Sequence, residues 1–131
     1  MSDAPATILL IEDEFLIRDY VGDCLEDAGF SVLRAGDGAT ALRYFEAGHR
    51  IDLVFTDITL PGDLDGFAIA KRIRARHPAL PIVLTSGGHN AGMAKGQCPD
   101  EPFYSKPYDI GQLISFLRKL LAESGAKPAR T

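Results

Sequence analysis

The sequence predicts an α/β fold, a doubly wound five-stranded parallel sheet with helices on both faces. Three observations lead there. Short continuous apolar runs recur, Ile8 to Ile11, Leu53 to Phe55 and Ile82 to Leu84, as in strands covered on both sides. Between them, apolar residues return at intervals of three and four, the period of a helix. Gly, Pro or Asp marks most changes of period. Parallel neighbours require crossover connections, and helices in those crossovers cover the sheet.

The first strand is expected over Thr7 to Ile11. Ile17, Val21, Leu25 and Ala28, with Tyr20 and Cys24 beside them, give the first helix, which Gly29 stops. Strand two follows at Ser31 to Arg34, a turn at Asp37-Gly38, and a second helix with Ala41, Leu42 and Phe45 on one face, ended by Gly48. Ile51 to Thr56 forms strand three. Pro61-Gly62 and Asp65-Gly66 enforce a loop before Phe67, Ala70 and Ile73 resume helical spacing as far as His77-Pro78. Ile82 to Ser86 is strand four and Phe103 to Ser105 a short strand five. Between them the Gly/Pro-rich stretch from Gly87 to Pro102 leaves only Asn90 to Lys95 for a fourth helix, expected to be short or disordered. Asp109 can cap a last helix with Ile110, Leu113, Ile114, Leu117 and Leu121 as its stripe. One domain over 6–122 and a flexible tail over 123–131 are expected.

A chain of 131 residues with 46% hydrophobic content can bury a core without disulfides or structural metal. Its net charge of −4, with no basic block interleaved with aromatics, argues against nucleic acid or an anionic membrane as partner. Lys71 to Arg76 reads as the wet face of a helix. Cys24 and Cys98 lack metal-like spacing, and His49, His77 and His89 lie near turns. With no signal region and no run long enough to span a bilayer, a cytoplasmic location is expected.

Charge gathers where strands end. Glu12-Asp13 closes the first run, Asp57 the third, and Lys106-Pro107 follows the fifth. In an open parallel sheet ligands sit outside the carboxyl ends of the strands, so Glu12, Asp13, Asp57, Ser86 and Lys106 would face one crevice. Carboxylates crowded together repel unless a cation lies among them, and an all-oxygen ligand set suits Mg2+. Lys106 can hold an anionic oxygen or pair with Asp57, and the Ser86 hydroxyl can donate to the same oxygen. A carboxylate nucleophile, a divalent cation and two donors are the parts of phosphoryl transfer onto Asp57. Singly, each residue has a structural reading: Asp57 as a turn former, Glu12-Asp13 as complement to a helix dipole, Asp65 as a cap, Ser86 as a loop hydroxyl. Their order and combination favour the chemical one.

The set Glu12-Asp13, Asp57 with Leu60-Pro61-Gly62 and Asp65-Gly66, Thr85-Ser86-Gly87, and Lys106-Pro107 resembles the receiver domain of two-component response regulators, over roughly residues 6 to 122. The resemblance implies a five-stranded flavodoxin-like sheet of order 2-1-3-4-5, an order of which receivers are a standing example. It implies Asp57 as phosphoacceptor, Asp13 as a direct Mg2+ ligand, Glu12 as a ligand through water and the Thr59 carbonyl as a further ligand. Ser86 would be the switch hydroxyl, Lys106 its salt-bridge partner, Phe103 the aromatic whose rotamer reports the change, and Lys106-Pro107 a cis bond. The chain departs from the family pattern in the glycine-rich segment after strand four and in the insertion Gly62-Asp63-Leu64.

The expected function is thus a stand-alone receiver, not an enzyme, that takes a phosphoryl group from a sensor histidine kinase or histidine phosphotransfer protein and signals to a downstream protein, as a monomer or weak dimer. The alternatives are a receiver belonging to a hybrid kinase or larger regulator, a phosphorylation-independent binding module, and a haloacid-dehalogenase-like phosphohydrolase. The last would need an Asp two residues after the nucleophile, where Thr59 stands.

Overall fold

The computed structural model describes residues 5–87 and 101–124. Along them run β1 (Thr7–Ile11), α1 (Phe15–Asp27), β2 (Ser31–Ala35), α2 (Gly38–Glu46), β3 (Leu53–Asp57), α3 (Gly66–Arg76), β4 (Ile82–Ser86), β5 (Phe103–Ser105) and α4 (Ile110–Glu123). All four strand pairings are parallel, in the order β2-β1-β3-β4-β5. The fourth helix expected over Asn90 to Lys95, and with it His89, Cys98 and most of the C-terminal tail, lie outside the described residues.

Strand alternation sorts the apolar runs into two layers. Ile8, Leu10, Leu53, Phe55 and Val83 face one side, where Val21 and Leu25 of α1 and Leu113, Leu117 and Leu121 of α4 close over them. Leu9, Ile11, Val54, Ile82 and Leu84 face the other, under Ala41 of α2 and Phe67, Ile69, Ala70 and Ile73 of α3. The runs are unbroken because successive residues enter different cores. Each such side chain, fully removed from water, contributes roughly 1.5–3 kcal/mol before entropy is counted.

Three helices start on an aspartate. Asp37 accepts from Thr40 N–H at 2.7 Å, Asp65 from Ala68 N–H at 2.8 Å and Asp109 from Gln112 N–H at 2.9 Å. Such caps contribute about 1 kcal/mol each. The structure shifts β3 from the expected Ile51–Thr56 to Leu53–Asp57. Asp52 causes this: its N–H donates to Thr7 O and its carboxylate accepts from Thr7 N–H, both at 2.8 Å, which ties off the strand's entrance. At the other end, Asp57 pairs with Thr85 and is the last strand residue. Tyr20, expected beside the apolar stripe of the first helix, is 60% exposed and joins Phe15 and Leu16 on its outer side. Arg74, expected on a wet face, is half-buried: its guanidinium binds the Pro78 and Leu80 carbonyls at 2.8 and 2.6 Å and Glu101 at 2.6 Å.

Candidate functional site

Register and alternation bring the site together. Ile11 lies opposite Thr56 and Asp57 opposite Thr85. Glu12 thus follows β1 beside Asp57, and both continue the parity of Leu10 and Phe55, the α1/α4 side of the sheet. Each is buried. Lys106, after β5, bridges them: its Nζ donates to Glu12 Oε1 and to Asp57 Oδ2, both at 2.7 Å. Its own N–H is fixed by the Ser86 carbonyl at 3.0 Å, so the end of β4 sets the position of the lysine.

The loop after Asp57 is folded tightly beneath it. Thr59 N–H donates to Asp57 Oδ1 at 3.1 Å and Gly66 N–H to the Ile58 carbonyl at 2.7 Å. A Cβ on Gly66 would lie 2.3 Å from the Asp57 carbonyl oxygen, so only glycine allows helix α3 to start this close. The Lys106-Pro107 bond is cis, as the resemblance implied.

Electrostatics follow from crowding. Burial pushes the Glu12 carboxyl above the usual carboxylate range, opposed by the Lys106 hydrogen bond and the Glu14 N–H. Burial alone would lower the Lys106 ammonium, but its bonds to Asp57 and Glu12 outweigh this and hold it above the ordinary lysine value. One ammonium faces three carboxylates: carboxylate oxygens of Glu12, Asp13 and Asp57 all lie within 4.8 Å of one another. Asp13 is exposed, and among the described residues no ion pair reaches it. An all-oxygen cluster with excess negative charge and one ligand open to water is a fitting donor set for Mg2+.

Ser86 is buried at the end of β4, on the parity of Leu84, while Phe103, opposite Leu84, is half-buried against the α2/α3 core. Phe103 therefore packs on the side of the sheet away from Glu12. On the nearer side a groove of about 630 Å³ runs from Lys106, Pro107 and Tyr108 to Leu16, Ile17 and Tyr20 of α1. Phe15, Leu16 and Tyr20 are the exposed large apolar residues among those described. Periodicity passed over Phe15 and Leu16 because they depart from the Ile17–Val21–Leu25 stripe, and it drew Tyr20 in beside that stripe. Arg18, whose Nη1 donates to the Glu12 carbonyl at 2.7 Å, left no sequence signal at all.

A parallel sheet of this order, with an acidic cluster and a bridging lysine at the carboxyl ends of its strands, defines a flavodoxin-like signalling module. The chain belongs to the response regulator receiver family of two-component signalling, whose receiver-domain model matches residues 8–118. It is 33% identical over 128 residues to the DNA-binding transcriptional regulator NtrC of Rhizobium meliloti, covering 95% of this chain and 26% of that protein. The Brucella abortus sensor kinase CckA is 30% identical over 119 residues, covering 88% of this chain and 12% of the kinase. A response regulator receiver protein from Sinorhizobium medicae matches in structure with a TM-score of 0.86 and 35% identity, over 94% of this chain and 99% of that one. The chain thus spans only a fraction of these curated relatives but nearly all of the solved receiver.

Proposed function

We propose that this receiver takes a phosphoryl group onto Asp57 from a phosphohistidine, held by a sensor histidine kinase or a histidine phosphotransfer protein. The observation that carries this is Lys106 bridging Glu12 and Asp57 at 2.7 Å while Asp13 completes the acidic cluster. An Asp57 carboxylate oxygen attacks phosphorus, the P–N bond breaks, and the histidine nitrogen leaves with its electron pair. Glu12, Asp13, Asp57 and the Thr59 carbonyl would hold Mg2+, which supplies charge neutralisation for the phosphoryl oxygens. Lys106 holds one of those oxygens and the Ser86 hydroxyl another. Phe103 then repacks as the switch.

The donor reaches Asp57 over the groove beside α1, where Phe15, Leu16 and Tyr20 offer an apolar landing next to the charged pocket. Output leaves by β4, β5 and α4, where Tyr104 stacks on Phe116 with ring centroids 5.4 Å apart. Tyr104→Ala is expected to weaken a downstream protein without slowing phosphorylation. The chain acts as a stoichiometric acceptor, not a turnover enzyme, because Thr59 has no carboxyl to serve as general acid or to orient water. A cytoplasmic location goes with such a donor in this reading, and a charge of −4 favours protein over nucleic acid as its target.

Incubation with a small phosphodonor and Mg2+, followed by intact mass measurement, tests the reading. Wild type should gain one phosphoryl mass and Asp57→Asn none. Steady product release without accumulation would instead favour a phosphohydrolase.

A further inference from the structure

Of the four described helices, α1 alone begins without a side-chain cap: Asp37, Asp65 and Asp109 cap α2, α3 and α4, whereas Glu14 makes no such bond. Yet the turn into α1 carries Glu12 and Asp13. Besides the Glu12 N–H, which donates to the Ala35 carbonyl at 3.0 Å, and the Lys106 bond to Glu12 Oε1, two contacts hold it. Glu12 Oε2 accepts from Glu14 N–H at 3.0 Å, and Arg18 Nη1 donates to the Glu12 carbonyl at 2.7 Å. The first draws on a carboxylate that the cation site also needs. The second draws on a backbone oxygen and stays available whatever the carboxylate does.

Arg18 has little else to do. It makes no ion pair among the described residues, and its guanidinium lies 5.6 Å from the centroid of the Phe15 ring, which shields one side. Its bond to the Glu12 carbonyl orients the planar peptide joining Glu12 to Asp13, and so the point from which the Asp13 side chain departs. Among the described residues no ion pair holds the Asp13 carboxylate, and Mg2+ demands near-ideal octahedral placement of its ligands.

We propose that Arg18 is a positioning residue that locks the β1–α1 turn so that Asp13 and Glu12 meet the cation in register. This rests on the reading of Glu12, Asp13 and Asp57 as a Mg2+ site. Charge alone makes the opposite prediction: a guanidinium near the site repels a divalent cation, so losing it should tighten binding. The sign of the effect therefore separates positioning from electrostatics.

Gly36 gives an independent handle. A Cβ there would lie 3.0 Å from Arg18 Nη1 and 3.7 Å from its Cζ, with no other atom beyond its chain neighbours within 4 Å. Among the described residues the glycines of positive φ are Gly29, Gly48 and Gly62, so alanine at 36 meets no backbone strain of that kind and acts on the guanidinium.

The test is calorimetric titration of the full chain with Mg2+, for wild type, R18M, R18K, G36A and the R18M/G36A double variant. R18M should weaken Mg2+ binding by about tenfold, the scale of groups that orient metal ligands. R18K, which keeps a donor, should recover part of that loss, and G36A should weaken binding alone but add nothing in the R18M background. The Mg2+ concentration that half-saturates phosphorylation by a small phosphodonor should rise in step with the loss of affinity in each variant. Unchanged or tighter binding by R18M overturns the proposal, as does a G36A effect that persists without Arg18. A wild type that binds Mg2+ and takes a phosphoryl group while R18M matches it sinks this inference only; a wild type that binds no Mg2+ sinks it together with the proposed function.

Discussion

The middle of β3 and its end obey the same alternation but lead to opposite chemistry. Leu53, Val54 and Phe55 point alternately into two cores, and each meets a helix. Two residues on, Asp57 keeps the parity of Phe55, but there the partners are Lys106 and Glu12 instead of α1 and α4 side chains. Stability in the middle is a matter of volume, since dense packing leaves lost methylenes unreplaced. At the end it is a matter of charge balance. The fold thus places a polar site two residues beyond its core without a separate element to carry it.

Phe55→Ala offers the largest test of that contrast. Phe55 is 1% exposed, and its ring lies 5.8 Å from that of Tyr108. Truncation should cost about 3–5 kcal/mol in urea unfolding. Asp57→Asn, at nearly the same depth, should change stability by no more than about 1 kcal/mol, because it relieves carboxylate crowding as it loses one bond to Lys106. Equal losses in the two variants would show that the strand end is simply more core.

A smaller effect is expected from Lys106→Met, which leaves Glu12 and Asp57 facing each other without their cation. Breaking a buried pair costs several kcal/mol, but Lys106 keeps 19% of its side chain exposed, so about 2 kcal/mol is expected after screening. Saturating Mg2+ should return most of that loss in the same unfolding experiment, since a bound cation stabilises by mass action. No recovery would break the view that charge balance governs this end.

The same contrast explains what could be read from the sequence. The strands were legible because both faces are covered, so their runs are unbroken, and the site was legible because charge begins where cover stops. Asp65 and Asp109 were readable as caps from position alone, and both cap. Strand order was not readable, because alternation does not say which strand is whose neighbour; it came from the family resemblance. Nor was Arg74 with Glu101, an ion pair across 27 residues, or Arg18 on the Glu12 carbonyl, since a backbone acceptor leaves no mark on the sequence. Tyr20 misled because a helical period with several apolar residues nearby fits more than one stripe.

Tyr108 stands on the seam between the two regions and gives the finest test. Its ring packs against Phe55 and Tyr104, while Lys106, Glu12 and Asp57 lie near enough to act on its hydroxyl. Burial pushes its phenol up to about 12, with the Lys106 charge working against the rise and the two carboxylates adding to it. The folded state therefore keeps the proton where the unfolded chain has lost it. Between about pH 10, the ordinary tyrosine value, and pH 12 the native state binds more protons than the unfolded one, so stability falls as pH rises. The loss should reach about 1–2 kcal/mol once screening at the wet edge of the ring is allowed for. Tyr108→Phe should remove that part of the alkaline slope, measured as the difference between the two proteins' unfolding free energies at each pH. A matching slope in both would place Tyr108 with the charged end, its hydroxyl in contact with water, and not with the core that its ring touches.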